Sequence, residues 1–272
     1  SKDQSLVEKF LLLSNKDQYR RGPDFQRSVL IDPHFGFSHQ RLSILDPSPA
    51  SNQPFNINNS WLCFNGEIYN YKELCASHLN MVGVNSDTAV LANLLFNRIP
   101  IHAIIDGFFA FSFYDSRTRE LRLSSDLFGI KTLYYYRYPG YFLWASDYLF
   151  LVNFVNDSSL LLRVRSNSFD EVYSYLSPFT SFTLHHEINR LSPGQDLAVF
   201  PRLILAEDYN CLESSSFSLS SISSGVRRRR KMNISSLIKT SFVSDVPLAN
   251  SLSGGLDSTF IAMALAQSKT LC

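Results

Sequence analysis

Three short groups of residues in this chain have the side chains of a ligand-binding or reactive site, and the most distinctive lies near its end. Ser253–Ser258 has the sequence Ser-Gly-Gly-Leu-Asp-Ser, between an apolar run at 247–252 and an apolar helical pattern at 260–266. A strand, a glycine turn and a helix together build an anion site, because glycines admit a phosphate to the backbone and the first helical N–H groups point at it. The lysine of a Walker A loop is missing. The sequence therefore predicts a phosphate-binding loop of another kind.

The second group is Asn65–Gly66, which directly follows an apolar strand predicted at 61–64. One side-chain amide and one backbone N–H at the end of a buried strand would supply the two donors of an oxyanion hole, which stabilises the developing negative oxygen in acyl transfer. Asn-Gly is also a common turn sequence. These two residues alone leave both interpretations open.

The third group consists of charged side chains near the ends of predicted elements. Arg41 lies at a predicted strand start, where a guanidinium could hold a carboxylate through two parallel hydrogen bonds. An arginine at such a position is also common as a structural surface residue. Ser86–Thr88 suits the N-cap of a helix, and Arg20–Asp24 forms a turn with charged flanks. None of these groups decides the function by itself.

The elements that must position these residues are mostly strands. Residues 5–16 have the spacing of an amphipathic helix, and from Val29 to about Phe200 short β-rich segments alternate with turn residues. Two helical stretches interrupt them, near 71–78 and 86–96. Many strands, few helices and no regular βαβ alternation predict packed sheets flanked by helices. The β-rich segments are 36–38, 42–45, 61–64, 108–114, 121–123, 132–136 and 141–145.

Composition narrows the class of protein. At 272 residues the chain has the length of about two domains, and its 45% of hydrophobic residues allows a sizeable core. The net charge of +1 argues against general binding to nucleic acid or to a membrane surface, and no apolar run is long enough for a transmembrane helix. The four cysteines form no C-x-x-C pair, which disfavours a zinc site or disulfides and fits a reducing cytoplasm.

Two further segments concern the organisation of the chain. Residues 213–225 are rich in serine and predict a linker. The basic run Arg227–Lys231 follows. We expect it to be the solvated edge of the linker or the start of a helix, and the alternative is nucleic-acid binding or targeting. The chain begins at Ser1 and its first methionine is Met81, so we expect a fragment rather than a processed product.

The groups above belong to a longer ordered series of motifs. The series is Arg21-Gly22-Pro23-Asp24, His39-Gln40-Arg41-Leu42-Ser43-Ile44, Asn65-Gly66-Glu67-Ile68-Tyr69-Asn70, Ser86-Asp87-Thr88, Gly107-Phe108-Phe109-Ala110-Phe111, Asp126-Leu127-Phe128-Gly129-Ile130-Lys131, Leu191-Ser192-Pro193-Gly194, Ser244-Asp245-Val246-Pro247 and Ser253-Gly254-Gly255-Leu256-Asp257-Ser258. This series closely resembles the glutamine-hydrolysing asparagine synthetases. The resemblance spans about residues 5–268.

The resemblance implies an α+β protein of two domains. Residues 1–205 would form a class II glutamine amidotransferase (glutaminase) domain, a four-layer αββα sandwich of the N-terminal-nucleophile type that here lacks its first strand. Residues 206–230 would be a linker, and 231–272 would begin an α/β ATP-pyrophosphatase domain. A homodimer is one assembly that the resemblance allows.

In this family the first domain releases ammonia from glutamine. The second activates aspartate with ATP as β-aspartyl-AMP, and ammonia then gives asparagine, AMP and pyrophosphate, with Mg²⁺ as a phosphate-bridging cation. The resemblance implies that Arg41 pairs with the α-carboxylate of glutamine, and Glu67 and Asp87 with its α-amino group. Asn65 and Gly66 would supply the oxyanion donors. The ATP phosphates would be surrounded by Leu252, Ser253, Gly254, Gly255, Asp257 and Ser258.

The chain departs from the family at the nucleophile. The family begins Cys-Gly-Ile, and the α-amine of that cysteine serves as base, whereas no cysteine of this chain matches the position. Ser1 falls several residues inside the family's start, and most of the synthetase domain would follow Cys272. We therefore expect this polypeptide to be truncated at both ends and inactive by itself. Cys63 lies close to Asn65, but we expect it to be a small buried hydrophobe.

Two alternatives to an asparagine synthetase remain open. One is a relative that uses the same adenylating domain on another carboxylate, such as a sugar or peptide amidotransferase, a β-lactam synthetase or a peptide cyclase. The other is a non-catalytic truncated paralogue that binds glutamine or a partner without turnover. The synthetase is favoured because a relative without glutaminase activity would have little reason to retain the glutamine-binding set Arg41, Asn65, Gly66, Glu67 and Asp87.

Overall fold

The computed structural model describes residues 2–79, 83–165, 181–200, 212–216, 238 and 241–266. The chain divides into two compact units. Unit 1 comprises Ser1–Leu42, Asn52–Gly66 and Phe108–Phe217, and unit 2 comprises Ser43–Ser51, Glu67–Gly107 and Ser218–Cys272. Helices and antiparallel strands occur together, so the α+β class is confirmed.

The described elements follow one another along the chain as short strands with few helices. In order they are α1 (Lys2–Asp17), a 3₁₀ turn (Tyr19–Arg21), β1 (Phe25–Asp32), β2 (Phe35–Arg41), a second 3₁₀ turn (Pro49–Ser51), β3 (Phe55–Ile57), β4 (Ser60–Ile68), α2 (Tyr71–Leu74), a π-helical turn (Cys75–Leu79), α3 (Asp87–Phe96), β5 (Gly107–Asp115), β6 (Glu120–Ser125), β7 (Tyr134–Tyr138), β8 (Tyr141–Ala145), α4 (Tyr148–Asp157), β9 (Ile188–Arg190), β10 (Gln195–Val199), β11 (Leu212–Ser216) and α5 (Leu256–Ala266).

The strands form three sheets in the described part of the chain. Their orders are β1-β2, then β11-β10-β6-β5-β4-β3, and β8-β7-β9. Because side chains alternate between the two faces of a strand, β4 buries Ser60, Leu62, Phe64 and Ile68 on one face. Phe37 of β2, Leu123 of β6, Leu197 of β10 and Trp144 of β8 meet in one apolar cluster. The inner faces of the sheets in unit 1 thus pack on each other, as the sequence predicts.

Helices α1 and α4 cover the outer face of the β8-β7-β9 sheet. Phe10 of α1 contacts two rings of α4 edge to face, with centroids 5.2 Å from Phe150 and 4.7 Å from Phe154. Both helices pack against Tyr136 and Ile188, which are fully buried. The described part of unit 1 therefore consists of a helix layer and two sheet layers, which confirms the predicted packed sheets with flanking helices.

Helix α4 was not among the predicted elements. Asp147 caps it, since its Oδ1 accepts the N–H of Phe150 at 3.1 Å. Phe150, Leu151, Phe154 and Val155 are buried at helical spacing. The Asp147 N-cap and this helical spacing could have indicated a helix from the sequence, but the aromatic and β-branched residues are equally typical of strands.

The strand predicted at 42–45 is wrong. Leu42 is 57% exposed, and β2 ends at Arg41. The carbonyl oxygen of Ile44 accepts the N–H of Asp245 at 3.1 Å, so a loop segment rather than a neighbouring strand satisfies this backbone. Arg41 consequently lies at the end of a strand and not at its start.

One strand, β11, lies within the predicted linker 206–230. β11 pairs antiparallel with β10, from Gln195 opposite Ser216 to Val199 opposite Leu212. Backbone groups make such a ladder, so serine side chains do not prevent an edge strand from forming. The rest of the predicted linker 206–230, with the basic run Arg227–Lys231, lies outside the described residues, and the predicted domain boundaries stay a prediction.

Unit 2 contains the two helices predicted after β4. The first is α2 followed by the π-helical turn, and the second is α3. Ser86 caps α3, because its Oγ accepts the N–H of Ala89 at 3.1 Å, which confirms the predicted N-cap. No helix within the described ranges is long and apolar enough to cross a membrane.

Candidate active site

Gly66 lies at a point of β4 where no side chain fits. Its φ is +150°, and a Cβ there would lie 2.1 Å from the carbonyl oxygen of Phe108 and 2.7 Å from the Cα of Phe109. The reciprocal contact occurs at Gly107, whose Cβ would lie 2.1 Å from the carbonyl oxygen of Glu67. Both the backbone angle and the close approach of β5 therefore require glycine at position 66.

Asn65 directly precedes this glycine, within β4 rather than beyond its end. Its side chain is half-buried, and it makes no hydrogen bond to any residue that the structure describes. A side-chain amide donor and the Gly66 N–H thus stand side by side in a strand. This is the pair of donors predicted for an oxyanion hole.

Arg41 is a buried cation, with 5% of its surface exposed. Its Nη1 donates to Oδ1 of Asn52 at 2.8 Å, and its carbonyl oxygen accepts the N–H of Asp24 at 3.0 Å. Gly22 packs so closely on this strand that a Cβ would lie 2.3 Å from the carbonyl carbon of Gln40. The Arg21–Asp24 motif thereby fixes the backbone of Arg41, whose guanidinium has the donor geometry for a carboxylate.

Asp87 and Glu67, the predicted ammonium ligands, are close together in unit 2. Asp87 is buried at the first position of α3, where the helix dipole favours an anion. Its Oδ2 accepts the N–H of Ile68 at 3.2 Å, so it is tied to the residue next to Glu67. Burial, followed by the carboxylates of Glu67 and Asp106, raises the pKa of Tyr69 to about 12. The end of β4 is thus an electronegative environment suited to an ammonium group.

The five predicted glutamine-site residues fall in both units. Arg41, Asn65 and Gly66 belong to unit 1, whereas Glu67 and Asp87 belong to unit 2. Glu67 follows Gly66 directly in β4. The structure therefore brings together Asn65 with Gly66, and Glu67 with Asp87, each pair inside its own unit.

Asp126 is a structural residue of this region whose role the sequence did not reveal. Its buried carboxylate accepts four backbone N–H groups, from Phe109 at 3.2 Å, Phe128 at 2.9 Å, Ile130 at 3.1 Å and Lys131 at 3.1 Å. This bonding holds the Asp126–Lys131 loop against β5, next to the Phe108 carbonyl that abuts Gly66. The sequence could have indicated this role, because an aspartate at the start of a glycine-containing loop often bonds to the loop backbone.

Cys63 is partly buried and packs against the apolar cluster of unit 1, so it is a hydrophobic packing residue and not a nucleophile. Burial raises the pKa of its thiol well above the usual range, and its Sγ lies 3.9 Å from the carbonyl oxygen of Ser38. A protonated thiol is a poor nucleophile.

We therefore predict that iodoacetamide leaves Cys63 unmodified in the native protein at pH 8 and modifies it fully in urea. Peptide mass spectrometry after the two treatments measures this difference. Rapid alkylation of the native protein at Cys63 would show an accessible thiolate and contradict the assignment.

The predicted phosphate-binding loop, Ser253–Ser258, has the expected glycine turn and helix. Gly254 has φ +81°, and no atom lies within 4 Å of the position that a Cβ would occupy. The hydroxyls of Ser253 and Ser258 are 3.0 Å apart, and Ser258 Oγ also donates to the carbonyl oxygen of Gly255 at 3.1 Å. The loop is exposed and α5 follows it. An unobstructed glycine backbone, two hydroxyl groups and a helix N-terminus are groups that can bind a polyphosphate.

The strand predicted before this loop, at 247–252, is wrong. The structure places no strand between residues 241 and 255, and no described strand pairs with that segment. Leu252 is 61% exposed. Among the described residues, no cluster of three or more His, Cys, Asp or Glu side chains could hold a metal ion. Asp257 is the only acidic residue of the Ser253–Ser258 loop.

The chain belongs to the glutamine amidotransferase domain family, which matches residues 2–209. It is 28% identical over 267 residues to "Asparagine synthetase [glutamine-hydrolyzing] 1" of Bacillus subtilis (strain 168), covering 93% of this chain and 40% of the relative. It is 30% identical over 262 residues to "Amidase chry2" of Gibberella zeae, covering 89% of this chain and 36% of the relative. The chain thus spans less than half the length of these curated relatives.

A similar solved structure is that of glutamine phosphoribosylpyrophosphate amidotransferase from B. subtilis, complexed with ADP and GMP. The sequence identity is 18% and the TM-score 0.43, with 68% of this chain and 35% of that chain covered.

Proposed function

We propose that this chain supplies the glutamine-hydrolysing part of an asparagine synthetase. The proposal is supported by membership of the glutamine amidotransferase domain family and by the asparagine synthetase among the relatives. The observation that carries it is the Asn65–Gly66 pair. The side-chain amide of Asn65 makes no hydrogen bond to a described residue, and the close approach of β5 requires glycine at position 66.

Glutamine would be held by the two charged groups on its α-carbon, and its side-chain amide would extend away from them. The guanidinium of Arg41 binds the α-carboxylate bidentately, and the carboxylates of Glu67 and Asp87 bind the α-ammonium. The side-chain amide of glutamine then lies at Asn65 and Gly66. The nucleophile would be the family's N-terminal cysteine, which no cysteine of this chain matches. When its thiolate attacks the amide carbon, the two N–H donors stabilise the negative oxygen; the C–N bond then breaks, the nitrogen takes a proton and leaves as ammonia, and water hydrolyses the thioester to glutamate.

ATP would be held by the loop at the start of α5. The N–H groups of Gly254 and Gly255 and the hydroxyls of Ser253 and Ser258 contact the phosphates, and Leu252 offers an apolar surface. Asp257, in the first turn of α5, would supply an oxygen ligand to a Mg²⁺ ion bound with the phosphates. When bound, ATP supplies the pyrophosphate leaving group that makes the carboxylate of aspartate reactive towards ammonia.

A second candidate is an amidotransferase that acts on a different carboxylate. The fungal amidase among the relatives favours it, with an identity of 30% against 28% for the bacterial asparagine synthetase. The glutamine site would be the same in both cases. The two proposals differ only in the acceptor.

The acceptor is identified with the protein expressed from its complete gene. Incubated with ATP, Mg²⁺ and glutamine, it should release pyrophosphate and AMP when aspartate is added, and asparagine should accumulate. Ammonium chloride should replace glutamine. Pyrophosphate release with another carboxylate and none with aspartate would overturn the asparagine synthetase and support the second candidate.

A further inference from the structure

The backbone of Phe64, the residue before Asn65, lies beyond the ladder that joins β3 and β4. That ladder ends with Phe55 opposite Leu62. Continuing the same register places Gln53 opposite Phe64, past Pro54, which has no N–H to extend the ladder. Phe64 is buried, so its N–H and C=O need other partners.

Two polar side chains supply these partners. Oε1 of Gln53 accepts the N–H of Phe64 at 2.6 Å, and Nε2 of His39 lies 3.3 Å from the carbonyl oxygen of Phe64. Since a carbonyl oxygen can only accept, Nε2 carries the proton. The Phe64 carbonyl belongs to the same peptide plane as the N–H of Asn65, so His39 fixes the plane that leads into the oxyanion pair.

His39 is held in the neutral form that this bond needs. Burial lowers its pKa to about 4, and the nearby Arg41 cation acts in the same direction, although the bond to Phe64 opposes them. At neutral pH the ring is therefore uncharged, with a proton on Nε2 and none on Nδ1. Nδ1 is buried and has no hydrogen-bond partner in the described part of the chain.

The direction of the two oxyanion donors depends on this backbone. Asn65 makes no side-chain hydrogen bond of its own among the described residues, and Gly66 has no side chain to anchor it. We infer that His39 and Gln53 are positioning residues, which hold Phe64 from both sides and thereby aim the Asn65 amide and the Gly66 N–H. This inference rests on the proposed function, because it assumes that Asn65 and Gly66 stabilise the oxyanion of glutamine hydrolysis.

The test compares His39→Leu with His39→Gln in the protein expressed from its complete gene. His39→Leu removes the donor to Phe64 and should lower kcat for glutamine hydrolysis by about 10- to 100-fold, because small displacements of catalytic donors are costly. KM for glutamine should change little, since the oxyanion exists only in the transition state. His39→Gln retains an N–H donor and should restore most of kcat. Ammonia-dependent synthesis should survive in both variants.

Gln53 provides an independent second pair of variants. Gln53→Met removes the acceptor for the Phe64 N–H, whereas Gln53→Glu keeps it. Hydrogen exchange of the Phe64 amide, measured by NMR on residues 1–272, should accelerate in Gln53→Met and not in Gln53→Glu. Cys63→Ala is the matched control, because it alters packing on the same strand but leaves both bonds of Phe64 intact.

The outcomes separate this inference from the proposed function. If the unaltered protein hydrolyses glutamine but His39→Leu and Cys63→Ala have the same kcat, the inference is overturned. Unchanged exchange of the Phe64 amide in Gln53→Met also overturns it, even if His39→Leu fails to fold. If the unaltered protein hydrolyses no glutamine while Gln53→Met accelerates the exchange, Gln53 does hold the Phe64 backbone but the proposed function fails.

Discussion

Gly66→Ala, made in the protein expressed from its complete gene, is expected to lower the free energy of unfolding by about 3 kcal/mol and glutamine hydrolysis by about 100-fold or more. The added methyl group would lie 2.1 Å from the carbonyl oxygen of Phe108, so β4 and β5 must separate, and alanine is also strained at φ +150°. The separation displaces an oxyanion donor, which is costly in the transition state. Urea unfolding measures the first effect and ammonia release the second.

Gly140→Ala is the matched control for this substitution. Gly140 also has a positive φ, +79°, but nothing lies within 4 Å of the position that its Cβ would occupy. Only the backbone strain is added there, so the loss of stability should be about 1 kcal/mol and hydrolysis should be unchanged. Equal losses for Gly66→Ala and Gly140→Ala would contradict the close approach of β5 at Gly66.

Arg41→Ala is expected to raise KM for glutamine about 100-fold, because truncating one partner of a buried charge pair is costly. Synthesis from ammonia should continue, since ammonia does not use the carboxylate site. Arg41→Lys should recover only part of the loss, because an ammonium group cannot form the two parallel hydrogen bonds of a guanidinium. Steady-state rates with glutamine and with ammonium chloride measure both effects.

Arg27→Ala is the control for the arginine substitutions. Arg27 lies on β1, next to β2, is exposed, and has its guanidinium 5.8 Å from the ring centroid of Trp61. Its removal should leave KM for glutamine unchanged. If Arg41→Ala weakened glutamine-dependent and ammonia-dependent synthesis equally, the carboxylate role of Arg41 would be refuted.

Much of the fold could be predicted from local patterns. The apolar spacing of α1 and the Ser86 N-cap of α3 are local signals, and the structure reproduces both. Helix α4 was missed because its aromatic residues are typical of strands as well. The strand predicted at 42–45 failed because tertiary context decides there: the Ile44 carbonyl bonds to Asp245, which is distant in sequence.

The site could be predicted as a set of residue types but not as an arrangement. Asn65 and Gly66 follow an apolar strand, which was enough to name them. The reason that position 66 must be glycine lies in Phe108 of another strand. The partnership of His39 and Gln53 with Phe64 likewise joins residues from three segments, and no periodicity of the sequence encodes it.

The most direct test of the account is the binding of L-glutamine to residues 1–272, measured by isothermal titration calorimetry. We expect saturable binding of L-glutamine to the unaltered chain, about 100-fold weaker binding to Arg41→Ala, and unchanged binding to Arg27→Ala. N-acetyl-L-glutamine, which lacks the ammonium group, should bind far more weakly because Glu67 and Asp87 then have no cation to hold. Absence of binding by the folded chain, or equal binding of L-glutamine to Arg41→Ala, would contradict the glutamine site.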